Sequence, residues 1–225
     1  MAAELTGDVD PATRERLITH GARLFAERGF NKVTVREIST AAKANVAAVN
    51  YHFGDKMGLY REVVDRCLTV MEQTTSQAIA AGSGADPETQ LRAFIRVFVE
   101  RLLTPRPDMQ VQALMMHEMT DPTEMLDVIA RRVMRPRLSY LCKVVGALMH
   151  RPPADRAVVN SAASVQAQCL MTKMLPSMTR LNIGFVEQPN AAELADHIVR
   201  FSLAGIREFS QRDDDQEQRL GADLR

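Results

Sequence analysis

The chain has 225 residues, 28 Lys/Arg against 28 Asp/Glu, 46% apolar residues and only 5% aromatics. This is the composition of a folded globular protein with one medium or two smaller domains, and it excludes a wholly disordered chain. With no Trp and 13 Met, the core must be built of Ala, Leu, Val and Met, which suits packed helices better than a β-sandwich. Net charge is zero, but its distribution is uneven. Residues 11–66 hold ten Lys/Arg against six Asp/Glu, the sign expected of a surface facing phosphate. Cys67, Cys142 and Cys169 lie far apart, which argues against a disulfide framework or a zinc finger and fits a reducing compartment. The N-terminus lacks a signal-peptide pattern and no apolar run reaches the ~18 residues of a membrane span. The expected location is cytoplasmic, with no membrane partner.

In chain order, residues 1–10 read as a flexible tail. Asp10-Pro11 opens a helix, with Asp as cap and Pro at the first turn, and Gly29 closes it. Thr34-Val35-Arg36-Glu37 is a capping box for a short helix to about Ala42. A turn at Lys43–Asn45 leads into a second short helix, Val46 to about Phe53. Gly54-Asp55 then breaks the pattern, and a long helix begins near Lys56. Two short helices joined by a turn, behind a longer one, form a helix-turn-helix whose second helix can enter a major groove. Val35, Ile38, Ala42, Val46 and Val49 are expected to face inward, with Phe53 in the core. Ala47, Ala48 and Asn50 are assigned to base reading, and Asn45 in the turn is counted with the DNA-binding residues; Thr34, Lys43, Tyr51, His52 and Lys56 suit phosphate contacts.

The stretch Thr13–Tyr60, with its segments LFAERGF, TVREI and VNYHFGDKMGLY, resembles the DNA-binding domain of the TetR family of transcriptional regulators. The resemblance implies a homodimer, usually a repressor, whose C-terminal domain binds a small effector and releases a double-stranded DNA operator with palindromic half-sites. Two positions depart from the family pattern. Lys43-Ala44 stands where Gly-Val is common, implying an ordinary backbone angle or modest strain. Asn50 stands where Tyr is common, so an operator sequence cannot be carried over.

Beyond the Gly-rich linker 81–87, helices are expected at about 88–103, 108–119, 123–149 (kinked at Pro136), 154–175 and 191–209, with a disordered polar tail over 210–225. The fold class is therefore all-α, with a helix-turn-helix domain at 11–56 and a connecting helix plus ligand-binding and dimerisation bundle at 57–209. HEMTDPTEMLDVI and RPRLSYL are similar to TetR-like regulators linked to efflux or detoxification genes. Phe94, Phe98, Met116, Met134, Tyr140, Gln166 and Cys169 are the expected lining of a pocket for an apolar or amphipathic effector. Ala162, Leu194, Ile198, Phe201 and Gly205 are the expected dimer contacts. Arg131, Arg132, Arg135 and Arg137 read as a solvated or ion-paired face. No cofactor, metal or catalytic motif is expected, and the chain reads as a regulator and not an enzyme. The alternatives are an effector-independent DNA-binding protein and a metal-dependent hydrolase at His117-Glu118. The latter lacks the second His of a His-Glu-x-x-His site, because position 121 is Asp.

Overall fold

The computed structural model describes residues 10–104, 111–174 and 190–222, and the secondary structure of these residues is helical. The helices are α1 (Pro11–Arg28), α2 (Val35–Ala41), α3 (Val46–Phe53), α4 (Lys56–Ala80), α5 (Pro87–Leu103), α6 (Val111–Thr120), α7 (Met125–Ile129), α8 (Arg135–Met149), α9 (Arg156–Met171) and α10 (Ala191–Ala222). Two compact units result. The described residues up to Met71 join those of 106–132 in the first; the second takes the described residues of 72–105 and from Val133 onward.

In the first unit Asp10 caps α1 by accepting the amide of Ala12, and Gly29 ends it by donating to the Phe25 carbonyl. The expected capping box at α2 is complete. The Thr34 hydroxyl accepts the Glu37 amide, and the Glu37 carboxylate accepts the Thr34 amide at 2.8 Å. Leu17, Phe25, Val33, Ile38, Val49 and Leu59 are fully buried and tie α1, α2, α3 and the start of α4 together. Phe25, Phe30 and Tyr60 cluster at ring separations of 4.9–5.9 Å. Helix α6 belongs to this unit. His117 Nε2 lies 3.1 Å from the Ala26 carbonyl, and the buried Glu118 carboxylate accepts the Tyr60 hydroxyl at 2.6 Å. Glu118 also accepts the Thr123 amide and hydroxyl, so adjacent residues His117 and Glu118 serve separate structural partners.

In the second unit α5, α8, α9 and α10 pack around Leu91, Phe94, Ile95, Phe98, Leu141, Val145, Val158, Val165, Val199 and Leu203. The helix expected over 123–149 is divided into α7, a π-helical segment Ala130–Met134, and α8 with Pro136 in its first turn. Proline removes an intrahelical N–H and its ring crowds the preceding turn, and the wider π turn accommodates it. The segment expected to end near 175 instead leaves α-helix at Met171 and continues as a 3-10 turn over Thr172–Met174. The tail expected to be disordered from 210 continues α10 to Ala222. The sequence there, rich in Gln, Arg, Glu and Asp and without proline, contains no helix breaker before Gly221. Of the flexible tail expected over residues 1–10, residues 1–9 lie outside the described residues, and Asp10 is held as the cap of α1.

Candidate DNA-binding site and effector domain

Helix α3 is opened by Asn45, whose side chain accepts the Ala47 amide at 3.0 Å, and closed by Gly54. This start fixes the phase of the helix. Ala48 and Val49 turn inward and are 1% and 0% exposed, while Val46, Ala47, Asn50 and Tyr51 form one outward stripe, with Val46 42% and Tyr51 68% exposed. Two expected orientations are thereby corrected. Ala48 belongs to the core and Val46 to the surface, because at 100° per residue positions 46, 47, 50 and 51 share a face opposite 48 and 49. Thr34, Lys43 and Asn45 are exposed and His52 is half-buried. The His52 ring meets Tyr51 edge-on at 5.1 Å. Phe53, expected in the core, is half-buried with the Arg14 guanidinium 5.4 Å over its ring.

Lys56 is used internally. Its ammonium donates to the carbonyls of Phe30 at 3.1 Å and Val33 at 3.0 Å and sits 4.2 Å over the Phe30 ring. The loop between α1 and α2 presents those carbonyls to no helix, and Lys56 satisfies them, so the expected phosphate contact gives way to a structural bond. Lys43 takes the left-handed conformation, φ 51°, so the strained alternative holds at this turn. The exposed Arg36 on α2, which the sequence analysis did not single out, has no carboxylate partner among the described residues. Its spacing from Lys32 and Lys43 is the sequence signal that marks it.

The scaffold holds this face through polar bonds that reach across elements. Arg16 donates to the Ala42 carbonyl at the end of α2 and to the Thr13 hydroxyl. Arg28 pairs with Glu37 at 2.7 Å. The Thr34 and Arg28 hydrogen bonds hold the Glu37 carboxyl down at about 2.

The expected pocket residues do not form one set. Met116 lies on α6 in the first unit and is 57% exposed, and Met134 is 36% exposed at the end of the π segment. Met116 stands on the face of α6 opposite the buried Leu114 and Glu118, which is why it turns outward despite its apolar character. Phe94, Phe98, Tyr140, Gln166 and Cys169 do fall together in the second unit. The Phe94 ring lies 5.5 Å from both Phe98 and Tyr140, and Cys169 is fully buried. The expected dimer residues divide similarly. Ala162 and Ile198 are in the subunit's own core and Leu194 packs against it, whereas Phe201 and Gly205 are exposed on α10 with Phe209. These last three edge a groove of about 620 Å³ between α9 and α10. Among the described residues no helix is long and apolar enough to cross a membrane.

Comparison with known proteins places this architecture. The model of the bacterial regulatory proteins of the tetR family matches residues 17–63, and that of the C-terminal domain of the HTH-type transcriptional dual regulator CecR matches 87–206, more than half of the chain. The HTH-type transcriptional repressor AcnR of Corynebacterium efficiens is 28% identical over 130 residues, covering 56% of this chain and 66% of AcnR. The HTH-type transcriptional dual regulator CecR of Shigella flexneri is 29% identical over 143 residues, covering 60% of this chain and 63% of that protein. The matched stretches thus span just under two thirds of these relatives. A solved TetR-family transcriptional regulator from Streptomyces coelicolor shares the fold with a TM-score of 0.58 at 17% identity, over 90% of this chain and 98% of that one. Family models over both parts of the chain and a shared fold across its length give one conclusion: the chain belongs to the TetR family of bacterial transcriptional regulators, a family of non-enzymatic transcription factors, and carries a CecR-type C-terminal domain.

Proposed function

We propose that this protein is a homodimeric, cytoplasmic repressor that grips a palindromic operator and releases it when a small molecule binds the second unit. The observation that carries the DNA-binding part is the outward stripe of α3. Asn50 offers paired hydrogen bonds to an adenine edge, while Val46 and Ala47 present methyl groups suited to thymine. Lys43, Asn45, His52 and Arg36 surround the stripe, and Tyr51 on it adds a hydroxyl, as donors for backbone phosphates, while Thr34, whose amide and hydroxyl both donate to Glu37, acts through the cap of α2. Residues 11–56 would be the DNA-binding domain and 57–209 the connecting helix and effector domain.

The repressor sign follows relatives such as AcnR, whose name is that of a repressor. The relative named as a dual regulator supports a second reading, in which the same protein also activates a promoter. Helix α4 begins in the first unit and ends in the second, and the chain passes between the units again inside the π segment, at Arg132–Val133. Effector binding acts on DNA only through affinities that differ between two states, so operator and effector must weaken each other's binding equally.

Selection of bound fragments from random DNA, followed by footprinting, tests the reading. Two protected half-sites one helical turn apart, ~34–36 Å, are expected for a symmetric dimer. Asn50→Ala should cost ~1–3 kcal/mol of discrimination at one base pair per half-site. Unchanged preference in Asn50→Ala would remove the stripe from the reading face.

A further inference from the structure

The second unit contains a buried cation without an anion. Arg137 on α8 is 4% exposed. Its Nε and Nη2 donate to a single hydroxyl, Thr75 Oγ1 on α4, at 3.2 and 2.9 Å, and its guanidinium lies 4.4 Å over the Phe98 ring of α5. Among the described residues no carboxylate pairs with it. Burial pushes the guanidinium down to about 10, leaving it charged at neutral pH, and pushes the nearby Cys169 thiol up to about 12, so the sulfur does not supply the missing negative charge. A guanidinium has five N–H donors in a planar fork, and a buried charge is costly unless paired. The other three arginines of this stretch behave as surface groups: Arg131 and Arg135 are exposed, and Arg132 pairs with Asp65.

Two further buried polar atoms among the described residues of the second unit lack partners, the Tyr140 hydroxyl and Gln166 Oε1. Tyr140 is on α8 with Arg137, and Gln166 is on α9 with Cys169. Helices α8 and α9 are joined by a tight reversal: the Arg151 amide donates to the Gly146 carbonyl, and a Cβ on Gly146 would stand 2.8 Å from the Arg151 oxygen. The helices therefore run antiparallel. Arg137 on α8 and Cys169 on α9 interact at one level. Moving three residues up α8 reaches Tyr140, and three residues back along α9 reaches Gln166, each displaced ~4.5 Å along its axis in the same direction. The Phe94 and Phe98 rings floor this group, with Phe94 5.5 Å from the Tyr140 ring.

We infer that Arg137 is the anchor of an effector site for amphipathic organic acids. Arg137 takes the ligand carboxylate in its fork, Tyr140 donates to the same group, and Gln166 presents one end of its amide, while Phe94 and Phe98 bed the apolar body. A carboxylate matches the planar fork in a two-bond geometry, and an aromatic or alkyl body matches the rings. The site rests on the proposed ligand-responsive reading but goes beyond it in naming the ligand's charge and anchor.

The test uses the full chain with two matched probe pairs, sodium octanoate against 1-octanol and sodium benzoate against benzyl alcohol, at millimolar concentration and constant ionic strength. At ten times its Kd, an acid should raise the wild-type Tm by about 3–6 °C, and the matched alcohol should not. Arg137→Met should melt no lower than wild type without ligand, since it removes an unpaired buried charge, and should lose the response to acid. Tyr140→Phe should keep the fold and weaken the response several-fold. Equal protection by acid and alcohol, no protection by either acid, or an acid response retained in Arg137→Met would each overturn the inference. Operator binding measured in parallel separates the two readings. Acid protection without operator release leaves the anion site standing and removes ligand-controlled release. Release by the alcohols alone leaves ligand control standing and removes the anion site.

Discussion

Lys56 shows how one residue's neighbours decide its role. Position alone, at the start of the helix that follows a recognition helix, gives it to phosphate, since helix N-termini favour anions. The fold instead surrounds its ammonium with the Phe30 and Val33 carbonyls and the Phe30 ring. Those acceptors come from a loop 23 and 26 residues earlier, where the Phe30 carbonyl also takes the Val33 amide, and no local pattern in the sequence reports that both carbonyls turn toward Lys56. Replacing Lys56 with Met should therefore lower stability by about 1.5–3 kcal/mol, the range for a hydrogen bond to a charged group. The slope of operator affinity against salt should stay where it is in wild type, because no phosphate contact is removed. A slope reduced by about one, with unchanged stability, would return Lys56 to the DNA. The exposure of Asn50, by contrast, follows from its residue type and its place on α3, and the base-reading role proposed for it awaits the Asn50→Ala test.

At the scale of elements, the local start signals were legible. Asp10-Pro11, the Thr34/Glu37 box and Asp86-Pro87 each open a helix as their chemistry dictates. The phase of α3 was not, because Val46, Ala47, Ala48 and Val49 are all apolar and an eight-residue helix gives too few positions to fix a face. The capping box has a testable pH signature. Its carboxyl sits near 2 when folded against an ordinary value of 4.5, so its contribution is complete above about pH 5 and is lost as pH falls toward 2. In urea titrations the stability gap between wild type and Glu37→Gln should narrow over that window; a gap independent of pH would separate Glu37 from the cap. The junction of α3 and α4 has a steric signature instead. A Cβ on Gly58 would stand 1.9 Å from the Phe53 carbonyl oxygen, a backbone atom that cannot swing aside. Gly58→Ala should therefore cost at least the ~1–3 kcal/mol of ordinary overpacking and disturb the end of α3, lowering operator affinity as well as Tm. Gly54→Ala tests a different strain, since space there is open but φ is 80°.

At the scale of the whole molecule, the helical fold was visible in the sequence, but the grouping of its parts was not. Residues of 106–132 belong with the helix-turn-helix because His117 and Glu118 find Ala26 and Tyr60, contacts separated by 91 and 58 residues. The proposed assembly follows the same logic of satisfied and unsatisfied surface. Ala162 and Ile198 are already consumed by the subunit's own core, so they have nothing left for a second copy. What remains uncovered is the opposite face: Phe201 at 65% and Phe209 at 53% exposed on α10, with Gly205 one turn between them, and Leu170 and Met171 on α9. Two large rings at i and i+8, flanking a glycine that lets a neighbouring helix approach closely, make a self-complementary patch for a two-fold helix interface. Phe201→Asp with Phe209→Asp should raise the dimer Kd at least ~100-fold, about 2.7 kcal/mol, while leaving helix content unchanged. Operator affinity should fall with it, because one recognition helix cannot hold two half-sites. Ala162→Leu should do the reverse, lowering Tm by crowding the core before it affects assembly. Sedimentation of both variants, alongside circular dichroism, distinguishes the faces: a Phe201/Phe209 variant that remains dimeric would move the interface off α10.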